Sequence, residues 1–158
     1  MPPAADHSMI PVLLVEDDDG DVEITRRAFA KGKIANPLYV VGDGEEAIEY
    51  LRHEGRYAGA PPSAPRPGII LLDLNLPRLS GREVLKVIKS DPALRNIPVV
   101  VLTTSSQEAD VCHCYESGAN TFITKPVDFD KFLHAVILIG EYWLYLARIS
   151  ENGAGAVA

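Results

Sequence analysis

Short apolar runs recur along this chain, each closing on polar or acidic residues. Ile10-Pro11-Val12-Leu13-Leu14-Val15 is the first, Leu38-Tyr39-Val40-Val41 the second and Ile69-Ile70-Leu71-Leu72 the third. Ile97-Pro98-Val99-Val100-Val101-Leu102 and Thr121-Phe122-Ile123-Thr124 follow. Runs that do not alternate predict strands covered on both faces, as in a parallel sheet. Between them lie segments with helical spacing. Val22, Ile24, Thr25, Ala28 and Phe29 predict helix 1, with Asp19 or Asp21 as its cap and Gly32 as its terminator. Glu45 to Glu54 predicts helix 2, Arg82 to Ser90 helix 3, about Gln107 to Ser117 helix 4, and a segment capped by Asp128 and running to about Ile149 helix 5.

Strands and helices thus alternate five times without a hairpin signal. That pattern predicts an α/β domain with helices on both faces of the sheet. Right-handed crossovers leave few windings, and the flavodoxin-like order 2-1-3-4-5, with five strands and five helices, is the expected one. With 158 residues the chain suits one domain, its folded part about 10–149, with flexible tails at 1–8 and 151–158. From Gly55 to Gly68 the composition changes, with Pro61, Pro62, Pro65 and Pro67 among Gly, Ala and Ser. This predicts a loop, mobile or extended in a polyproline-like conformation, too short to divide two domains.

Composition narrows the function. Fifteen basic against 22 acidic residues leave a net charge of −7, which argues against a nucleic-acid surface. Cys112 and Cys114 are the only cysteines and read as free thiols in a reducing, cytoplasmic setting. Met1 to Ser8 has no basic and apolar signal-peptide pattern. The apolar stretch Phe132–Ile149 is interrupted by His134, Glu141 and Arg148, which argues against a membrane span.

Four strand ends carry reactive residues: Glu16 and Asp17, then Asp73 with Asn75 beyond it, then Thr103, then Lys125. In a parallel sheet these ends share one edge, where ligands bind. Carboxylates there suit a hard cation such as Mg²⁺, and Lys, a hydroxyl and the cation together suit a phosphoryl group. Asp73, at the end of the central run, is the candidate carboxylate nucleophile. The bland alternative is that Asp73 caps a turn. Asp18 could also take the place of Asp17 if strand 1 ended one residue later. Cys112-His113-Cys114 looks like a ligand set, but i and i+2 leave a helix on different faces.

Val15-Glu16-Asp17, Leu72-Asp73-Leu74-Asn75-Leu76-Pro77, Leu102-Thr103-Thr104 and Thr124-Lys125-Pro126 together resemble the signature of the two-component response-regulator receiver domain. The resemblance covers roughly residues 10–149. It implies that Asp73 accepts a phosphoryl group from the phosphohistidine of a sensor histidine kinase. It implies Mg²⁺ ligation by Asp17 and Asp73, by the backbone carbonyl of Asn75, and by Glu16 through water. Lys125 would hold a phosphoryl oxygen and pair with Asp73 beforehand, Thr103 would bond the phosphoryl group, and Phe122 would be the switch aromatic. Lys125-Pro126 would be a cis peptide. Such a protein is a phospho-acceptor with self-phosphorylation and autodephosphorylation chemistry rather than an enzyme. Glu16 stands where many receivers carry Asp, and Phe122 where many carry Tyr.

Helix 5 adds a partner. Phe129, Phe132, Val136, Ile139, Trp143 and Leu146 form one stripe, and Leu133, Ile137, Leu138, Tyr142, Leu144 and Tyr145 cover much of the rest. An all-round apolar helix is buried on more than one side. Either the chain end folds back on it, or it forms a protein–protein face. The latter matches receiver homodimers built on helix 4, strand 5 and helix 5. No output domain is expected beyond it. The proline-rich loop and Glu141-Tyr142-Trp143-Leu144 resemble small receivers that partner bacterial phytochrome kinases. Two rival classes remain: an interaction module that uses the fold without phosphorylation, and a phosphatase with a nucleophilic Asp. The second needs Asp-x-Asp, whereas position 75 is Asn.

Overall fold

The computed structural model describes residues 10–59, 64–103, 118, 121–124 and 129–141, with backbone alone for Thr103 and 121–124. Strands β1 (Val12–Val15), β2 (Leu38–Val41), β3 (Ile69–Asp73), β4 (Val99–Thr103) and β5 (Thr121–Thr124) form one sheet in the order β2-β1-β3-β4-β5. Every pairing is parallel. Helices α1 (Asp19–Lys31), α2 (Gly44–Arg52) and α3 (Gly81–Ser90) connect the first four strands. Residues 129–141 form a further helix after β5. The helix expected at 107–117, and residues 142–149 of the expected fifth, lie outside the described residues.

Strands β1, β3 and β4 are apolar up to their last residue because the sheet is covered on both faces. Leu13, Val15, Ile70, Leu72, Val99 and Val101 point to one face, against Ala47, Tyr50 and Leu51 of α2 and Val84, Leu85 and Ile88 of α3. Val12, Leu14, Ile69, Leu71, Val100 and Leu102 point to the other, against Ala28 and Phe29 of α1 and Phe132 and Val136 of the last helix. The period-two alternation of a strand sorts adjacent apolar residues between two cores. All five residues of β3, Asp73 included, are buried.

Three features correct the sequence expectation. The cap of α1 is Asp18, whose side chain accepts from the Asp21 N–H, while Asp19 and Asp21 lie in the first turn, where acids suit the helix dipole. Helix α2 ends at Arg52, two residues early, because His53 turns left-handed at φ 53°. Inside the expected loop, Gly55–Tyr57 forms a short 3₁₀ turn. Arg56 pairs with Glu49 at 2.7 Å, and the Tyr57 ring meets Tyr50 edge-on with centroids 5.2 Å apart. Farther along, the Tyr50 hydroxyl donates to the Pro65 carbonyl, and His53 Nε2 bonds the Ala64 carbonyl. This part of the proline-rich segment is therefore anchored to α2.

The last helix is amphipathic over its described length. Phe132 and Val136 are buried, and Phe129, Leu133 and Ile139 pack beside them. The outward positions are Asp130, Lys131, His134, Leu138 and Glu141. The all-round apolar expectation does not hold here, since most of its apolar residues belong to the core. Among the described residues no helix is long and apolar enough to cross a membrane.

Candidate functional site

Strands β1 and β3 are neighbours, in a register that pairs Val15 with Leu72. The residues after that pair on each strand therefore emerge side by side at the C-terminal edge. They are Glu16 and Asp17 on one side and Asp73 on the other. Glu16 and Asp73 are each 3% exposed, whereas Asp17 is open to solvent. One carboxylate oxygen from each of the three lies within 4.8 Å of the others.

The local chain explains this convergence. The Glu16 N–H donates to the Val41 carbonyl, so the backbone stays extended one residue past β1. The Asp18 N–H then reaches Glu16 Oε2 at 3.4 Å, and its own carboxylate turns to cap α1. This decides between Asp17 and Asp18: Asp17 joins the cluster and Asp18 holds the helix. Asp73 is fixed differently. The Asn75 N–H donates to Asp73 Oδ1 at 3.0 Å, the Leu74 N–H to the Leu102 carbonyl and the Gly81 N–H to the Leu74 carbonyl. The loop from 74 to 80 is thereby closed at both ends. A Cβ on Gly81 would collide with the Asp73 carbonyl, so α3 can begin this close to the strand only with glycine there.

Three carboxylates this close repel one another unless a cation or a proton intervenes. The donors are all hard oxygens, and two are buried while the third faces solvent. The set fits a divalent cation of the oxygen-loving class, which takes a few carboxylates and keeps several waters. A turn cap alone would not bring Glu16 and Asp17 to Asp73.

The remaining predicted residues divide. Asn75 is exposed, and its backbone N–H is tied to Asp73. Thr103 ends β4 beside Asp73, whose register partner is Leu102, and Thr103 itself pairs with Thr124. Phe122 lies on β5 opposite Val101. Lys125 follows β5 directly in the chain, and both it and the Lys125-Pro126 bond lie outside the described residues, as do Cys112, His113 and Cys114. The sequence did not single out Asp18 as a cap or Gly81 as a contact. The spacing Asp18-x-x-Asp21 was the available signal for the first, since an N-cap side chain bonds the N–H three residues on.

Comparison with known proteins agrees with this geometry. Residues 12–137 match the family described as the response regulator receiver domain. Response regulator Rcp1 of Synechocystis sp. is 41% identical over 133 residues, covering 84% of this chain and 88% of its own. The Mn²⁺-bound crystal form of Rcp1 superposes with a TM-score of 0.76 at 41% identity, over 85% of this chain and 94% of that one. The phosphorylated cyanobacterial phytochrome response regulator RcpA is 46% identical, with a TM-score of 0.78, over 86% of this chain and 94% of its own. A probable methanogenesis regulatory protein, FilR2 of Methanothrix harundinacea, is 41% identical over 134 residues, covering 84% of this chain and 83% of its own. A match that spans most of the chain and carries the acid cluster at its expected strand ends leaves one assignment: the chain belongs to the response regulator receiver domain family.

Proposed function

We propose that the protein is a Mg²⁺-dependent phospho-acceptor that takes its phosphoryl group from a sensor histidine kinase onto Asp73. The observation that carries this is the meeting of Glu16, Asp17 and Asp73 within 4.8 Å, with Asp73 almost wholly buried at the end of the central strand. A carboxylate oxygen of Asp73 attacks phosphorus, a P–O bond forms, the P–N bond to the kinase imidazole breaks, and the departing nitrogen keeps its electron pair. When bound, the cation neutralises charge on the phosphoryl oxygens. Glu16, Asp17, Asp73 and the Asn75 carbonyl would hold it. The Asn75 N–H orients one Asp73 oxygen, Thr103 and Lys125 would hold phosphoryl oxygens, and Phe122 would follow Thr103 inward. The protein receives one group per molecule and later loses it, so it acts as a signal carrier rather than an enzyme.

The partnership follows from the relatives. RcpA, a phytochrome response regulator, supports a kinase of the phytochrome type, while FilR2, at 41% identity, bears the name of another regulatory setting. The output would be a change in the surface of helix 4, strand 5 and helix 5, through which a homodimer forms in the cytoplasm. Incubation with acetyl phosphate and Mg²⁺ should add one phosphoryl mass to wild type and none to Asp73→Asn. Equal labelling of both, or none of either, ends the proposal. Transfer from a phosphorylated bacteriophytochrome kinase much faster than from an unrelated histidine kinase is expected; equal rates would remove the phytochrome assignment alone.

A further inference from the structure

The β3–α3 loop that carries Asn75 is seated on a second element. Gly44, the first residue of α2, lies so close to Leu79 that a Cβ there would collide with the Leu79 carbonyl and stand 2.8 Å from Leu79 Cβ and 2.9 Å from its carbonyl carbon. Two residues later Gly81 rests on the backbone of Asp73 and Leu74, its hypothetical Cβ 2.6 Å from Leu74 Cα. The nearest atom is a main-chain carbonyl oxygen at both places, and a Cβ does not move when its side chain rotates, so neither contact can be relieved by a change of rotamer. Helix α2, the loop and the end of β3 are stacked backbone on backbone.

Helix α2 is itself held at this end. Asp43 caps it by accepting from the Glu46 N–H, and Glu46 Oε1 accepts from the Gly42 N–H at 2.7 Å. Arg78 of the loop adopts φ 66°, a conformation that costs a non-glycine residue about 1 kcal/mol or more. It pairs with Glu45 at 3.5 Å. Both side chains are largely exposed, so the pair contributes little and follows from the seating rather than causing it.

We infer that Gly44 is a positioning residue for the phospho-acceptor: by seating α2 directly on Leu79 it sets the loop whose Asn75 N–H holds the Asp73 carboxylate. The inference rests on the phospho-acceptor function proposed above. A methyl group at Gly44 displaces the loop or the helix on a scale approaching an ångström. Misplacement of a reacting group by that amount costs roughly ten- to a hundredfold in rate.

The test compares full-length wild type, Gly44→Ala and Gly42→Ala. Gly42 is the control, since a Cβ there meets nothing nearer than Glu46 Oε1 at 3.9 Å. Hydrogen exchange of the Asn75 amide is measured without metal, and the rate of phosphorylation by acetyl phosphate at saturating Mg²⁺ is expressed per folded molecule. Gly44→Ala should speed Asn75 exchange and slow phosphorylation by about tenfold or more, with Gly42→Ala like wild type. A purely structural glycine would lower the unfolding midpoint while leaving both readouts unchanged, and that result overturns the inference. If Gly44→Ala does not fold, Leu79→Ala leaves the backbone contact in place but removes the partly buried side chain that packs this loop residue against the core, and so loosens the loop on α2. It should slow phosphorylation several-fold, and a wild-type rate there also overturns the inference. Absence of phosphorylation in wild type and Gly42→Ala would instead remove the phospho-acceptor function.

Discussion

Adjacent acids in this chain do different work, and the distinction between Asp17 and Asp18 can be measured. The Asp18 carboxylate accepts the Asp21 N–H at the start of α1, while that of Asp17 stands in the acid cluster. A ligand that binds only the folded state raises stability, by about 2.7 kcal/mol at a hundred times its Kd. Mg²⁺ should therefore raise the unfolding midpoint of wild type, and Asp17→Asn should lose that increase. Asp18→Ala should keep the increase but start about 1 kcal/mol lower from the missing cap. Thermal unfolding with and without Mg²⁺ separates the two, and loss of the increase in Asp18→Ala would mean that the acids are wrongly assigned. Far from the site, Asp91 reports acid stability. The Ala93 N–H, 2.9 Å from its Oδ1, outweighs the opposing effect of burial and, helped by a weaker hydrogen bond from Arg52, holds its carboxyl below the ordinary 3.8. Its folded pKa is depressed, so its contribution is complete above 3.8 and fades as pH falls through the folded value. Urea unfolding of Asp91→Ala should show a deficit at neutral pH that narrows in strong acid. A deficit independent of pH would place its origin elsewhere. Glu16, Asp17 and Asp73 were legible from the sequence because each ends or follows an apolar run. The Asp18 cap was not, because it depends on where α1 begins, and four nearby acids offered competing caps.

At the level of elements, the strands were legible to within two residues at each end, since a short unbroken apolar run between turn residues fits a strand buried on both faces; the runs from Ile10 and Ile97 start two residues before β1 and β4 do. The turn Gly55–Tyr57 was not, because it depends on Glu46, Glu49, Tyr50 and Tyr57 meeting across α2. Gly32 shows a correct position with a different cause. It ends α1 as expected, yet its φ of −80° is open to any residue. What demands glycine is the last helix, because a Cβ would lie 2.8 Å from Ile137 Cγ1 and 3.1 Å from the Ala28 carbonyl. Gly→Ala at a permissive backbone site usually stabilises by about 0.4–1 kcal/mol through the unfolded chain. Overpacking costs about 1–3 kcal/mol and should win here. Gly32→Ala is thus expected to destabilise, and Ile137→Ala in the same chain should return the usual gain. A stabilised Gly32→Ala single variant would show that the last helix yields freely.

At the scale of the whole molecule, the proposed homodimer makes a demand on the outward face of the last helix. The last helix gives its apolar stripe to the core, and its outward face presents Asp130, Lys131, His134 and Glu141 around Leu138, which is 64% exposed. Ile24 on α1 is the other large apolar side chain exposed among the described residues. Obligate dimers usually bury more than about 2,000 Å² across a more hydrophobic interface, and the described part of this face, one exposed leucine among charged and polar side chains, is not of that kind. Self-association through the described part of this face should therefore be weak and sensitive to ionic strength, since exposed charges are screened within about 10 Å at 0.1 M salt. Sedimentation velocity across a range of concentrations, with and without beryllofluoride as a phosphoryl mimic, measures it directly. Leu138→Asp should leave unfolding within about 0.5 kcal/mol of wild type, because the side chain is already in water. The same substitution should weaken association, since it replaces the face's exposed apolar centre with a charge beside Glu141. A dimer that forms as readily in Leu138→Asp, or one indifferent to salt, would move the interface to another face of the fold.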